Sequence, residues 1–142
     1  MIIALAFWTL VLLSCGFAFL FGGVDGRRIS IVYVAACLAT LGALLVQADW
    51  SRTHWPTFAV DMVLLFLLWR IALRSRRWFA TWFTGLHLVA VVSHAASMVV
   101  SSYAFKLYFF LQGFWSVPML LTLVIGVELD RRAGLGDDPA QS

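Results

Sequence analysis

The sequence predicts an all-α membrane protein, a compact bundle of about five transmembrane helices. Hydrophobic residues make up 63% of the 142 residues and charged residues 12%, whereas about a quarter of a soluble domain is charged. The apolar residues form five long runs, and most basic residues lie in the gaps between them. A soluble domain of this length could not bury so much apolar surface. The runs are therefore predicted to face lipid.

The five runs are long enough to cross a bilayer, and they cover residues 2–21, 29–48, 58–73, 78–100 and 103–127. A helix rises about 1.5 Å per residue, so about 20 residues match a hydrocarbon core of about 30 Å. Residues 1–127 are therefore predicted to be a single transmembrane bundle with short loops. Residues 128–142 are polar and are predicted to be a disordered cytoplasmic tail.

The positions of the arginines predict how the chain is threaded. Seven of them fall on one side of the five predicted spans: Arg27, Arg28, Arg74, Arg76, Arg77, Arg131 and Arg132. The opposite side has Arg52 and, near the start of the last run, Lys106. Cytoplasmic loops are the ones enriched in Lys and Arg, so we expect the N-terminus outside and the C-terminus in the cytoplasm, in a bacterial inner membrane. The net charge of +3 is thus a membrane signal, and no nucleic-acid partner is expected.

The first two runs carry packing signals rather than chemistry. The first begins without positive residues and is longer than the apolar part of a signal peptide, so it is predicted to be an uncleaved span. The second has Ala35, Ala39 and Ala43 at four-residue spacing. Small residues at that spacing let helix backbones approach closely in membranes. They predict a helix–helix contact, with another span of this chain or with another chain.

The third run contains an aspartate near its outer end and an arginine near its inner end. Asp61 and Arg70 are nine residues apart and point in opposite directions, so they are not expected to pair. Arg70 can extend to the inner interface. Asp61 lies at a depth similar to that of Lys106 in the fifth run, and an ion pair between them would relieve the cost of both charges. A competing hypothesis places Asp61 beside His94.

The fourth run has the most coherent polar pattern. At 100° per residue, its polar residues fall within an arc of about 80°, and they are His87, His94, Ser97 and Ser101. This stripe is predicted to face the bundle interior, because polar groups are costly against lipid. Two readings stay open. The histidines could simply hydrogen-bond to neighbouring helices, or they could relay protons or bind a quinone or a metal.

The fifth run offers partners for that stripe. Gln112 and Ser116 share one face, and both can hydrogen-bond to side chains of the fourth run. Pro118 cannot donate a backbone hydrogen bond, which predicts a kink.

No cofactor, metal site or enzymatic activity is expected. A six-coordinate haem needs histidines on facing helices, whereas His87 and His94 share one. The ligand spacings of structural zinc sites are absent from the sequence, as are nucleophile and phosphate-binding motifs.

Three function classes remain. The favoured one is an accessory or assembly subunit that packs in the lipid bilayer against other membrane subunits or against itself. The alternative is a small transporter or channel whose path is lined by Asp61, His87, His94 and Gln112. A second alternative is a subunit that binds quinone or haem together with a partner chain.

Overall fold

The fold is all-helical. The computed structural model describes the backbone of residues 2–46, 55–99 and 102–135, and the side chains of residues 4–43, 55–98 and 114–135. Five helices follow one another along this part of the chain: α1 (Ile2–Phe21), α2 (Gly23–Val46), α3 (Trp55–Arg74), α4 (Trp78–Val99) and α5 (Ser102–Arg132).

The helices form a closed ring. Each helix packs against the next one in the sequence, and α1 packs against α5. All five helices contribute to one apolar core, which includes Val11, Ile29, Leu64, Leu68, Phe79, Phe83, Leu120 and Leu123.

Apolar side chains also cover the outside of the bundle. Leu12, Leu13 and Leu20 of α1 are 61%, 69% and 66% exposed. Within the described residues, α1, α2, α3 and α4 are long and apolar enough to cross a membrane. In water such a surface would be unfavourable, because exposed apolar area costs about 25 cal/mol per Å². The helices therefore suggest a membrane location.

The connection between α1 and α2 is shorter than the sequence predicted. Only Gly22 separates the two helices, so α2 begins at residue 23 and not at residue 29. Gly23 has a φ of +61°, a left-handed conformation that glycine adopts without steric cost. The N–H of Gly26 then donates to the carbonyl of Gly22 at 2.9 Å. Asp25 in the first turn of α2 favours helix here, because a negative charge complements the helix dipole.

Residues 75–77 connect α3 to α4 and fasten both helices to their neighbours. The Ser75 hydroxyl donates to the Asp25 carboxylate of α2 at 2.6 Å and accepts the N–H of Arg77 at 3.0 Å. Arg77 forms an ion pair with Asp130 of α5 at 2.9 Å and donates to the carbonyl of Leu135. The end of the bundle formed by residues 19–28, 70–78 and 127–135 is hereafter called the arginine-rich end.

α5 extends beyond its predicted end at residue 127. The helix continues to Arg132 because Glu128 pairs with Arg131 and Arg132 one turn later, at 2.9 and 2.7 Å. Such pairs favour helix at three- and four-residue spacing. The polar residues that suggested a disordered tail are helical as far as Arg132. Residues 133–135 form a turn after the helix, and residues 136–142 of the predicted tail lie outside the described residues.

The helices α4 and α5 lie close together where a glycine faces an aromatic ring. Phe79 is 1% exposed, and a Cβ added at Gly126 would overlap the Cβ of Phe79 and lie 2.8 Å from its Cγ. The absence of a side chain at Gly126 therefore sets the distance between these two helices.

Candidate functional site

An aspartate of α3 and a histidine of α4 form the central pair of the candidate site. The Nδ1 of His94 and a carboxylate oxygen of Asp61 are 2.6 Å apart. The His94 side chain is 6% exposed and that of Asp61 31%. At this distance the two groups share a hydrogen bond, in which Nδ1–H donates when Asp61 is a carboxylate. The His94 side chain is thus buried, whereas part of the Asp61 side chain remains accessible.

The short α3–α4 connection explains why these two residues meet. Antiparallel helices joined by three residues place positions at similar distances from the connection opposite one another. Asp61 precedes the middle of that connection by 15 residues, and His94 follows it by 18. Both side chains therefore lie at a similar height, Asp61 six residues after the start of α3 and His94 five residues before the end of α4.

The second histidine of α4 contacts the same residue of α3. His87 is buried, and its Nε2 is 3.1 Å from the backbone carbonyl oxygen of Asp61. Because a carbonyl can only accept, Nε2 carries the proton of this bond. A carbonyl oxygen has two lone pairs, so it can also accept a bond within its own helix. Two imidazoles that are two helical turns apart thus converge on one aspartate.

Neighbouring residues fix the positions of these groups. The ring of Phe58 meets the His94 ring edge-on at 5.3 Å between centroids. The Ser97 hydroxyl donates to the backbone carbonyl of His94 at 2.6 Å. Nearer the arginine-rich end, the buried Thr84 hydroxyl lies 3.3 Å from the Leu68 carbonyl of α3. Polar contacts between α3 and α4 therefore extend from Thr84 to His94, nearly three turns of α4.

The sequence analysis did not single out Thr84. It lies three residues before His87, so the helical spacing that predicted the stripe could have included it. Threonine was overlooked because its hydroxyl can be satisfied by a carbonyl of its own helix, as the 2.8 Å bond to Ala80 shows.

The structure brings together only part of the predicted site. His87, His94 and Ser97 are buried on one side of α4, and Ser116 of α5 is buried as well. The side chains of Ser101, Lys106 and Gln112 lie outside the described residues, so their predicted roles stay predictions. In the part that is described, the Asp61 carboxylate is bound by His94, which is the arrangement named by the competing hypothesis.

The alanine stripe of α2 faces outward. Ala35 and Ala39 are exposed and Ala43 is half-buried. Gly42, beside them, has open space where a Cβ would lie. These small residues therefore leave a smooth strip on the outer surface of the bundle, whereas the neighbouring Ala36 packs against the core.

The central pair consists of two groups whose side chains can each gain or lose a proton. A carboxylate and an imidazole that share a short hydrogen bond can exchange a proton between them. No group of three or more metal-ligating side chains occurs among the residues whose placement is described. Comparison with known proteins found no matching family model, curated protein or solved structure.

Proposed function

We propose that this protein is a small transporter or channel that moves protons, with Asp61 and His94 as its titratable centre. The observation that carries the proposal is the 2.6 Å bond between the two side chains. Ionisable groups within membrane helices are costly, and where they occur they commonly mark proton or ion pathways.

The solvent exposures of the Asp61 and His94 side chains support a proton path rather than a buried pair with a purely structural role. Asp61 keeps 31% of its side chain accessible, while His94 behind it is 6% exposed. A proton can therefore reach the carboxylate first. The protonated carboxyl can pass it to Nδ1 in the imidazole tautomer that keeps its other proton on Nε2, and Nε2 then releases that proton inward. His87 would be the next acceptor, about 10 Å further along the helix axis. That distance requires water or another hydroxyl between the two imidazoles.

Proton flux into liposomes tests this proposal. Purified protein is reconstituted with a pH-sensitive dye inside, and a potassium diffusion potential drives protons across. We expect flux for the wild type and none above background for His94→Ala or Asp61→Asn. Ser93→Ala is the matched control, because the Ser93 hydroxyl bonds only to Val89 of its own helix. The proposal would be refuted if vesicles with the wild-type protein were no more permeable to protons than empty vesicles. It would also be refuted if Ser93→Ala lost as much proton flux as the two site variants.

A second candidate is the accessory or assembly function, and one observation favours it. The exposed strip formed by Ala35, Ala39 and Gly42 has small side chains at the spacing that membrane helices use for close contact. Packing within the bundle does not occupy this strip, so a second chain is the natural partner. The liposome experiment distinguishes the two candidate functions. If the protein purifies as a stable complex and its vesicles show no proton flux, the assembly function is favoured.

We also infer that α5 crosses the membrane and that the arginine-rich end is cytoplasmic. The 31 residues of α5 span about 46 Å at 1.5 Å per residue, longer than the hydrocarbon core. Arg27, Arg74 and Arg132 lie at one end of the ring, as the positive-inside rule requires of a cytoplasmic face. A reporter fused after Ser142 should be active in the cytoplasm of a bacterial host. Activity only outside the cytoplasm would reverse the threading.

A further inference from the structure

A groove at the arginine-rich end combines positive charge with an apolar wall. It lies between α2 and α3 and has a volume of about 480 Å³. Its lining consists of three arginines and five apolar residues: Arg28, Arg70, Arg74, Ile31, Val32, Phe66, Leu67 and Ile71.

Within the described part of the chain, the three arginines of this groove, like Arg27 and Arg76, have no carboxylate partner, in contrast to three other arginines at the same end. Arg77, Arg131 and Arg132 are paired with carboxylates. Across the described side chains, no carboxylate lies within ion-pair distance of the groove arginines. All three are exposed, and Arg70 lies over the Phe66 ring at 5.8 Å. Three guanidinium groups thus converge without a protein counter-charge.

The geometry of the lining fits an amphiphile. Arg70 and Arg74 are one turn apart on the same face of α3, and Arg28 faces them from α2. Phe66 lies about 12 Å deeper along α3 than Arg74. Its side chain is 59% exposed, and Ile31 across the groove is 57% exposed. The charged end would meet a headgroup, and the apolar wall would lie beside acyl chains.

We propose that this groove binds one anionic phospholipid through its phosphate. Guanidinium groups bind phosphate oxygens in a bidentate manner, and basic residues at the membrane surface attract anionic lipids. A free phosphate ion would leave the apolar wall unused, and an acidic peptide would place its charges against lipid-exposed side chains. The proposal requires α2 and α3 to cross the membrane, and it is independent of proton movement.

Lipid binding by the full-length protein in mild detergent tests this assignment. Phosphatidylglycerol and phosphatidylcholine with identical acyl chains are titrated separately, and bound lipid is counted by native mass spectrometry. We expect one tightly bound phosphatidylglycerol and much weaker binding of phosphatidylcholine. The triple variant R28Q/R70Q/R74Q should weaken phosphatidylglycerol binding by about tenfold or more, because it removes the guanidinium groups that would contact the phosphate oxygens.

A charge-matched control makes the result specific. The variant R76Q/R131Q/R132Q also removes three exposed positive charges at the same end, but none of them lines the groove. It should bind phosphatidylglycerol within about twofold of the wild type, since only nonspecific attraction is reduced. If the triple variant does not fold, R74Q alone serves, because this exposed residue has no ion pair to lose.

Several outcomes would overturn the proposal. Equal loss in the two triple variants would show nonspecific surface attraction only. Equal affinity for the two lipids would refute selection of an anionic lipid, because phosphatidylcholine carries the same phosphate but no net charge. Displacement of bound phosphatidylglycerol by millimolar inorganic phosphate would assign the arginines to a soluble anion.

Discussion

Gly126→Ala is expected to destabilise the bundle by about 3 kcal/mol, at the upper end of the usual cost of overpacking. The new methyl group would overlap the Cβ of Phe79, which is attached directly to the α4 backbone. A rotamer change of Phe79 cannot move that atom, so α4 and α5 must separate. Phe79 is 1% exposed, and the separation would loosen core contacts around it. Thermal unfolding in detergent, followed by circular dichroism, measures the effect.

Gly85→Ala is the matched control for this substitution. Gly85 also lies within a membrane-length helix, and nothing would lie within 4 Å of its added Cβ. Replacing a helical glycine by alanine gains up to about 1 kcal/mol in helix propensity. We therefore expect an unchanged or raised unfolding temperature. If Gly126→Ala is as stable as Gly85→Ala, the close approach of α4 and α5 does not limit their packing.

Loss of the ion pair between Arg77 and Asp130 is expected to have the second largest effect on stability. The two side chains are 15% and 13% exposed, so removal of either partner leaves a poorly solvated charge. Fully buried pairs lose about 3–5 kcal/mol when one partner is removed. We expect about 2 kcal/mol for Arg77→Gln or Asp130→Asn, because some water reaches this pair.

A double-mutant cycle isolates the contribution of this pair. The double variant should be no less stable than either single variant, since removing both partners leaves no isolated charge. Arg132→Gln is the control, because Arg132 is 74% exposed and surface pairs contribute about 0–1 kcal/mol. Additive losses from Arg77→Gln and Asp130→Asn would show that the two residues act independently.

The number and order of the helices were predictable from the sequence, because long apolar runs indicate them directly. The apolar runs identified five helices, and four of these are long and apolar enough to cross a membrane among the residues described. The helix ends were less accurate, because charged residues were taken as the ends of helices. At Glu128, pairing with arginines one turn away keeps those same residues helical.

In the candidate site, helical spacing predicted which residues share a face of α4, but it did not predict which residue of another helix they contact. The spacing of His87, His94 and Ser97 placed them on one side of α4, because residues of a single helix have fixed relative directions. The neighbour of Asp61 depends on which helices are adjacent. Both His94 and Lys106 are at a suitable depth, so depth alone could not choose between them. The structure shows that α3 packs against α4, which the short gap between the third and fourth predicted runs already favoured.

The closed ring of helices has a consequence for biosynthesis. α5 contributes Met119, Leu120, Leu123 and Val127 to the interior, and it touches both α4 and α1. On the proposed membrane topology, the first four helices would enter the bilayer during translation with one wall of their shared interior still unfilled. Lipid or an assisting protein must occupy that gap until the last helix arrives, so nascent chains halted before α5 should be the form most vulnerable to membrane proteases.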